Sequence, residues 1–436
     1  MAQTNINTGP GTQSTLLGDF KERYAPKWQT LFEQASPLTK RFLFQAGTAV
    51  GNKYHQPVDV ANEQGFTQAA QGVLPTSATY VQPLAGQSQD AQVTPYQIHG
   101  RAAVAYEAEY SSLSGAQAFL DANKLVMKRL TLGAAKRHEW GIINGQEGWL
   151  KSDGTTIATG ATRTFIGTAD TFAAGAFIGA IGMPVQLFLD SGGSPTGSGL
   201  FTNATASAND LPYISAVNYD THTLTITVPN TSDQSVALTS TYWVFPWIPS
   251  YTSEMPGLGK ISSNTGSLFN VDASVYPEWA GNIFSSVGIL DIAKVLEVHG
   301  QMAPWFPMLG MKTLTIIPPK AFEVLNTDQA ALRQYDVSYT DQAKNGFQGM
   351  RFNTQVGTTE LIAHPMCRNS RAHVCVEEET IRIGATEHTF ITRGKSGDVL
   401  VVESSNSPAG EMRDFISLAL FCEAPRHTAI LTGLTY

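Results

Sequence analysis

Between Lys53 and Arg101 the chain carries no lysine and no arginine, and only three acids, Asp59, Glu63 and Asp90. Glutamine is dense there, and Pro57, Pro75, Pro83 and Pro95 recur. A segment this long, neither charged nor strongly apolar, cannot build a compact core by itself. It is either a linker or a long hairpin laid on other protein. The residues that follow favour the hairpin. Val104, Tyr106, Ala108 and Tyr110 alternate with Ala105, Glu107 and Glu109, the pattern of a strand with one wet face, and we assign them to the return limb. Burying unpaired charge is costly, so a charge-poor surface of this length suits a seam between chains.

The flanking segments differ in kind. Residues 1–18 are polar and lack the basic-then-apolar layout of a signal peptide. Phe20, Tyr24, Trp28, Leu31 and Phe32 then form one apolar stripe of a short helix, with Pro26 near its start. Periodicity leaves open whether that stripe packs on its own core or on a neighbouring subunit. A long helix is expected from Ser114, where Ser114 and Gln117 match a capping box, to about Ile143. It is proline-free, with Leu120, Met127, Leu130 and Ala134 along one strip. At 1.5 Å per residue it spans roughly 40–45 Å. Lys124, Lys128, Arg129, Lys136 and Arg137 cluster on it. Such a face is ordinarily solvated; the functional alternative is contact with nucleic-acid phosphates.

Residues 145–270 read as β-rich, with strands at Val185–Asp190, Tyr213–Asn218, His222–Val228 and Val236–Trp247. From about Val271 the pattern is α+β. A helix is expected over Ser286–Met302 with Ile289, Ile292, Ala293 and Leu296 inward. A buried strand, Thr313–Ile317, stops at Pro318-Pro319, and a helix follows to about Arg333. Strands are expected at Glu360–Ala363, His373–Val376, Ile381–Ile383 and Val399–Glu403, and the tail from Phe415 is strand-like.

Chemical motifs are sparse. Only 15% of the 436 residues are charged, with a net charge of −8, unlike a dedicated nucleic-acid binder. Three cysteines, Cys367, Cys375 and Cys422, do not make a disulfide framework and fit a reducing compartment. No run reaches the length of a membrane helix. Arg393-Gly-Lys-Ser396 resembles the end of a phosphate loop, but Thr389 stands where its first glycine belongs. His364, Cys367, His373 and Cys375 are the best metal candidate. Their spacing matches no standard finger, and the plainer reading is buried strand cysteines beside surface histidines. Glu377, Glu378 and Glu379 are adjacent carboxylates of the sort that face water. No hydrolase elbow, zincin motif or dinucleotide fingerprint is present. No cofactor is expected and no enzymatic activity is assigned.

The order of parts carries a resemblance. A polar arm, the charge-poor segment, Val93–Tyr110 running into Ser111–Gln146, and Glu254-Met-Pro-Gly-Leu-Gly-Lys260 through Pro277-Glu-Trp-Ala280 together resemble the major capsid proteins of tailed bacteriophages, whose fold herpesvirus shells share. The resemblance implies an α+β capsid fold. Residues 1–53 would be an N-terminal arm, 54–104 an extended β-hairpin loop over the adjacent subunit, and 105–149 a peripheral-domain strand and spine helix. Residues 150–255 would be a β-rich insertion, 256–280 a connector to the peripheral domain, 281–365 the axial domain, and 366–436 strands completing both domains. It implies a homo-oligomer of hexamers and pentamers, located in the virion and assembled in the host bacterial cytoplasm, around double-stranded DNA and without a membrane. Its partners would be a portal, a separate scaffolding protein and a cement or decoration protein. The loop begins too early for a built-in scaffolding segment, so the resemblance implies either that separate scaffolding protein or a precursor segment absent from this chain. Some members crosslink through a loop lysine; residues 54–123 contain none, so non-covalent contacts are expected.

On this basis Phe20, Tyr24, Trp28, Phe66, Leu74, Tyr80, Val81 and Leu84 are the expected subunit-interface residues. Lys124, Lys128, Arg129, Lys136 and Arg137 are the expected inner-surface basic residues. The alternatives are another structural protein, such as an encapsulating shell or a tail component, and a cytoplasmic hydrolase.

Overall fold

The structure is a computed structural model. It describes residues 36–46, 53–73, 76, 80–83, 85–105, 122–155, 157, 159–201, 211–235, 238–306, 310–327, 349–390, 401–403 and 409–436. The expected arm helix, the capping box at Ser114 and Gln117, and Arg393–Ser396 lie outside these residues.

One strand organises the first half of the fold. Ala409–Cys422 pairs antiparallel with Thr380–Phe390 and Val401–Glu403, and also with Tyr96–Ala105. Phe44–Ala46 adds in parallel to Thr380–Phe390, completing five strands. Leu418, Ala419, Leu420, Phe421 and Cys422 are all buried, the uninterrupted apolar run of a strand covered on both faces. The long helix, described over Ala122–Asn144, packs against this sheet. Met127 and Leu130 are half-buried and Ala134 is buried. Beyond them His138, Glu139, Trp140, Ile142, Ile143 and Asn144 are enclosed, so the helix passes from a wet to a fully covered environment along its length.

The hairpin differs from expectation in its return limb. Tyr54–Ala61 pairs antiparallel with Gln87–Val93, and Tyr96–Ala105 leaves the hairpin to join the five-stranded sheet. Residues 94–104 therefore lie outside the loop assigned to 54–104, and Tyr106–Tyr110 lie outside the described residues. Of the alternating residues 104–110, the described Val104 and Ala105 end the strand Tyr96–Ala105; the limb that pairs with Tyr54–Ala61 is the polar segment Gln87–Val93, held through its backbone.

A six-stranded sheet forms the second half, in the order Asn282–Phe284, Ala429–Thr432, Arg371–Val376, Met311–Ile317, Gly357–Ala363 and Gly349–Asn353. Its central strand is buried from Thr313 to Ile317. The helices Ile292–Met302 and Pro319–Thr327 pack with it around a separate core that includes Leu290, Val295, Met302, Leu325 and Leu361. The first helix starts later than the expected Ser286. Asp291 caps it, its side chain accepting from Lys294 N at 2.7 Å. Gly288–Ile289 is instead a strand beside Leu434–Thr435. Ile292 is buried as expected, but Ile289 and Ala293 are exposed and Leu296 is half-buried; Val295, Val298, His299 and Met302 complete the inward face.

The β-rich middle segment contains a three-stranded and a four-stranded sheet. Thr162–Ile166, Thr223–Thr227 and Tyr213–Asn218 form the first, with Asn218 Oδ1 accepting from Asp220 N and Thr221 N in the hairpin turn. The last expected strand shortens to Tyr242–Pro246. Phe165, Phe177, Val185 and Val244 join the same core as Trp140 and Leu420, so the segment is built into the main core.

The connector after it explains the Met-x-Gly-Leu and Pro-x-Trp pattern. Gly145 N–H donates to Gly141 O in the last helical turn, and Gly257 N–H to Gly145 O at 3.1 Å. A Cβ on Gly257 would sit 2.4 Å from Gly145 N, and one on Gly145 would sit 2.1 Å from Met255 O. Only glycine permits this backbone approach. Leu258 and Trp279 are buried, and the Trp279 indole N–H donates to Leu268 O at 2.9 Å.

Candidate assembly surface

The hairpin has a fixed root and an uncovered tip. At the root Ala91 and Val93 are buried, Tyr54 meets Phe421 edge-on at 5.6 Å, and Gln92 N–H donates to Phe269 O at 2.8 Å. Gln89 Nε2 donates to the Tyr276 hydroxyl at 3.0 Å. Beyond Ala61 the described residues form no regular element until Gln87. Phe66 is 77% exposed, and Val73, Tyr80 and Val81 are also exposed. Large exposed apolar side chains are thus grouped between Ala61 and Gln87, a grouping of the kind contact surfaces show. Of the expected interface residues, Phe66, Tyr80 and Val81 stand on this tip; Phe20, Tyr24, Trp28, Leu74 and Leu84 lie outside the described residues.

The basic cluster on the long helix divides. Lys128 and Arg129 are exposed. Lys136 and Arg137, two turns further along the helix, are half-buried. Lys136 Nζ donates to Ile178 O and lies over the Trp149 ring, and burial pushes its ammonium down to about 8. Arg137 is half-buried in the wall of a cavity. The side chain of Lys124 lies outside the described residues.

That cavity, of about 410 Å³, lies where Tyr96–His99, the helix at Arg137 and Gly141, and the returning segment Pro246–Met255 meet. Tyr96, Trp149 and Trp247 supply aromatic walls. Among the described residues Arg137 has no hydrogen bond and no ion pair within 4 Å; the Glu254 carboxyl acts on it from further away. Burial pushes Glu254 up to about 7, against the pull of Gln146 N–H, Arg137 and Arg368.

Two charged joints, not foreseen from the sequence, hold the elements around this surface. Glu139, buried on the long helix, accepts from Leu38 N at 2.8 Å, Thr39 N at 3.1 Å and the Thr39 hydroxyl at 2.5 Å, and pairs with His364 Nε2 at 3.0 Å. Burial pushes this carboxyl up, but His364, Thr39 and Leu38 outweigh it and hold it below the ordinary value. The short helix Pro37–Arg41 is thereby tied to the long one. Arg368, fully buried, donates to Glu147 O at 2.9 Å and Gly148 O at 2.6 Å and lies 5.0 Å from the Trp243 ring. Arg371 Nη1 reaches Glu147 Oε2 at 2.7 Å. Partners separated by 100 or more positions leave no local signal in a sequence.

The metal candidate does not converge. His364 and His373 are fully buried, not surface residues, and Cys367 lies in a turn, not a strand. The His364 ring meets Glu139 and accepts from Met366 N at 3.2 Å. Burial pushes the Cys367 thiol up to about 12 and the Cys375 thiol higher still, which disfavours the thiolate a metal needs. Among the described residues no cluster of three or more ligating side chains occurs. Of the three adjacent carboxylates, only Glu378 is fully exposed; Glu379 pairs with His427 at 2.7 Å. No helix of the described residues is long and apolar enough to cross a membrane.

The whole chain superposes on a known architecture. The capsid protein in the asymmetric unit of cyanophage A-1(L) matches it with a TM-score of 0.56 and 9% identity, over 98% of this chain and 100% of that one. This is the capsid fold of the tailed bacteriophages. The capsid of Myoviridae phage XM1 aligns at a TM-score of 0.46 and 8% identity, over 98% of this chain and 100% of that one. An encapsulin complex from Synechococcus elongatus aligns at 0.42 and 8%, over 98% and 99%. No protein-family model matches the sequence, and no curated protein matches it. At 9% identity the likeness lies in the layout of the fold rather than in any residue motif.

Proposed function

We propose that this chain is a major capsid protein, assembling through hexamers and pentamers into an icosahedral virion shell around double-stranded DNA. The observation that carries the proposal is the match of its entire length to a phage capsid protein. The exposed apolar tip between Ala61 and Gln87 supports it, because an isolated subunit gains nothing from displaying Phe66, Tyr80 and Val81. The subunit contacts are non-covalent, in keeping with the absence of lysine from 54–123. Individually modest seams allow misplaced subunits to leave during assembly. The work is structural and no catalytic step is assigned.

A scaffolding protein and a portal are the partners this role calls for, and a cement protein is an optional third. Lys128 and Arg129, exposed where Lys136 and Arg137 are half-buried, are the helix cations we assign to packaged phosphates; a shell structure with Lys128 and Arg129 on the outer face overturns that assignment. The test of the whole reading is expression of the full chain, alone and with a co-expressed scaffolding protein, followed by electron microscopy. Hexamers, pentamers or closed shells are expected. A monodisperse monomer under both conditions refutes the reading, and shells that package protein cargo but no DNA favour an encapsulating shell instead.

A further inference from the structure

We propose that Glu63 and Phe66 at the hairpin tip of one copy enter the cavity lined by Tyr96, Arg137 and Trp247 of a neighbouring copy, the Glu63 carboxylate meeting the Arg137 guanidinium. This rests on the shell reading above and specifies one of its seams.

The two surfaces are complementary in chemistry. Glu63 is the single acid between Asn62 and Gly86, three positions from the ring of Phe66, which is 77% exposed. The cavity offers aromatic and aliphatic walls and a guanidinium that has no ion pair within 4 Å among the described residues. Glu254 on the same wall does not close on it, standing beyond 4 Å and accepting from Gln146 N–H instead. A cation in a half-buried site gains most from a carboxylate brought with its own apolar cover. A volume of about 410 Å³ falls in the range of pockets that enclose a small ligand or anchor side chain.

Geometry dictates a second copy. Tyr96 follows the hairpin root at Val93 by three residues, so the cavity lies beside the root. The strand Tyr54–Ala61, at about 3.3 Å per residue, carries the tip roughly 25 Å from that root. The strand held in register with Gln87–Val93 leads away from that cavity, and in the single subunit Phe66 stays 77% exposed rather than filling it.

The experiment is disulfide trapping in assembled full-length protein. Gln64→Cys places a thiol between Glu63 and Phe66, and Ser253→Cys places one at the exposed rim of the cavity. The native cysteines are buried and stay silent. Under mild oxidation the double variant gives a ladder of crosslinked oligomers, and the Gln64→Cys/Asp220→Cys control, with its second thiol on the exposed β-turn, gives none. Phe66→Ala in the double-cysteine background strongly lowers the ladder yield. Shells that form without a ladder overturn this inference and leave the capsid reading intact. Failure of the unmodified chain to assemble at all overturns both.

Discussion

At the residue scale, the buried ion pairs set measurable constraints. Glu139 serves Leu38 N, Thr39 N, Thr39 Oγ1 and His364 at once. Glu139→Ala strands those buried donors and is expected to cost about 3–5 kcal/mol, read as a lowered urea midpoint at constant slope. Because the folded carboxyl titrates below its ordinary value, its stabilisation is fully present above the unfolded pKa. It is lost as pH falls through the folded one. His427 behaves oppositely. Burial would lower its pKa, but the pair with Glu379, helped by the Trp305 carbonyl at 2.8 Å, raises it. Both ring nitrogens face acceptors, so the bound form is the imidazolium, stacked on Phe306 at 4.6 Å. Its contribution is complete below the unfolded histidine value of about 6.5 and declines as pH rises through the folded value. His427→Gln is expected to lower stability by about 1–3 kcal/mol at pH 6, with the gap to wild type narrowing at alkaline pH in calorimetric melts.

At the scale of elements, the hairpin tip and its root are energetically separable. Phe66 touches solvent while Ala91 and Val93 hold the root. Phe66→Ala is therefore expected to leave the melting temperature of the unassembled subunit unchanged, within about 0.5 kcal/mol. It should raise the protein concentration needed for shells about tenfold or more, measured by light scattering. Elements were legible in the sequence where burial wrote a pattern. The continuous apolar run Thr313–Ile317 and its stop at Pro318 appear where expected, as does Tyr213–Asn218. Gln87–Val93 was not legible as a hairpin limb, since a polar strand satisfied by backbone pairing needs no apolar alternation. The start of the Ile292 helix was missed for a related reason. Ile289 supplied helical spacing, yet its backbone is in a strand and its side chain is outside. Of the candidate surface, the uncharged tip was readable from composition. The cavity and the partial burial of Lys136 and Arg137 were not, because the walls come from three distant segments.

At the scale of the whole molecule, the three free cysteines are buried and the loop offers no lysine. Purified shells boiled in detergent without reductant are accordingly expected to run as a single band at 46.9 kDa. A ladder of higher bands would show covalent joining and remove the non-covalent seam from the account. The overall architecture matches a capsid fold at only 9% identity. The likeness survives because packing layers constrain the kind of residue at each position far more than its identity.

The strand Ala409–Cys422, and Ala429–Thr432 after it, fill places inside the two sheets that nothing earlier in the chain can occupy. At ordinary synthesis rates of about 5–20 residues per second, a ribosome needs roughly 20–90 s to reach them. Until then Tyr96–Ala105 and Asn282–Phe284 wait without their partners, and the cavity wall that Leu418 contributes is missing. A growing chain thus has a hairpin before its two large sheets are complete. On the shell reading proposed above, a chain without these strands would present a tip but no finished surface to receive another, and its own topology would keep it out of a lattice.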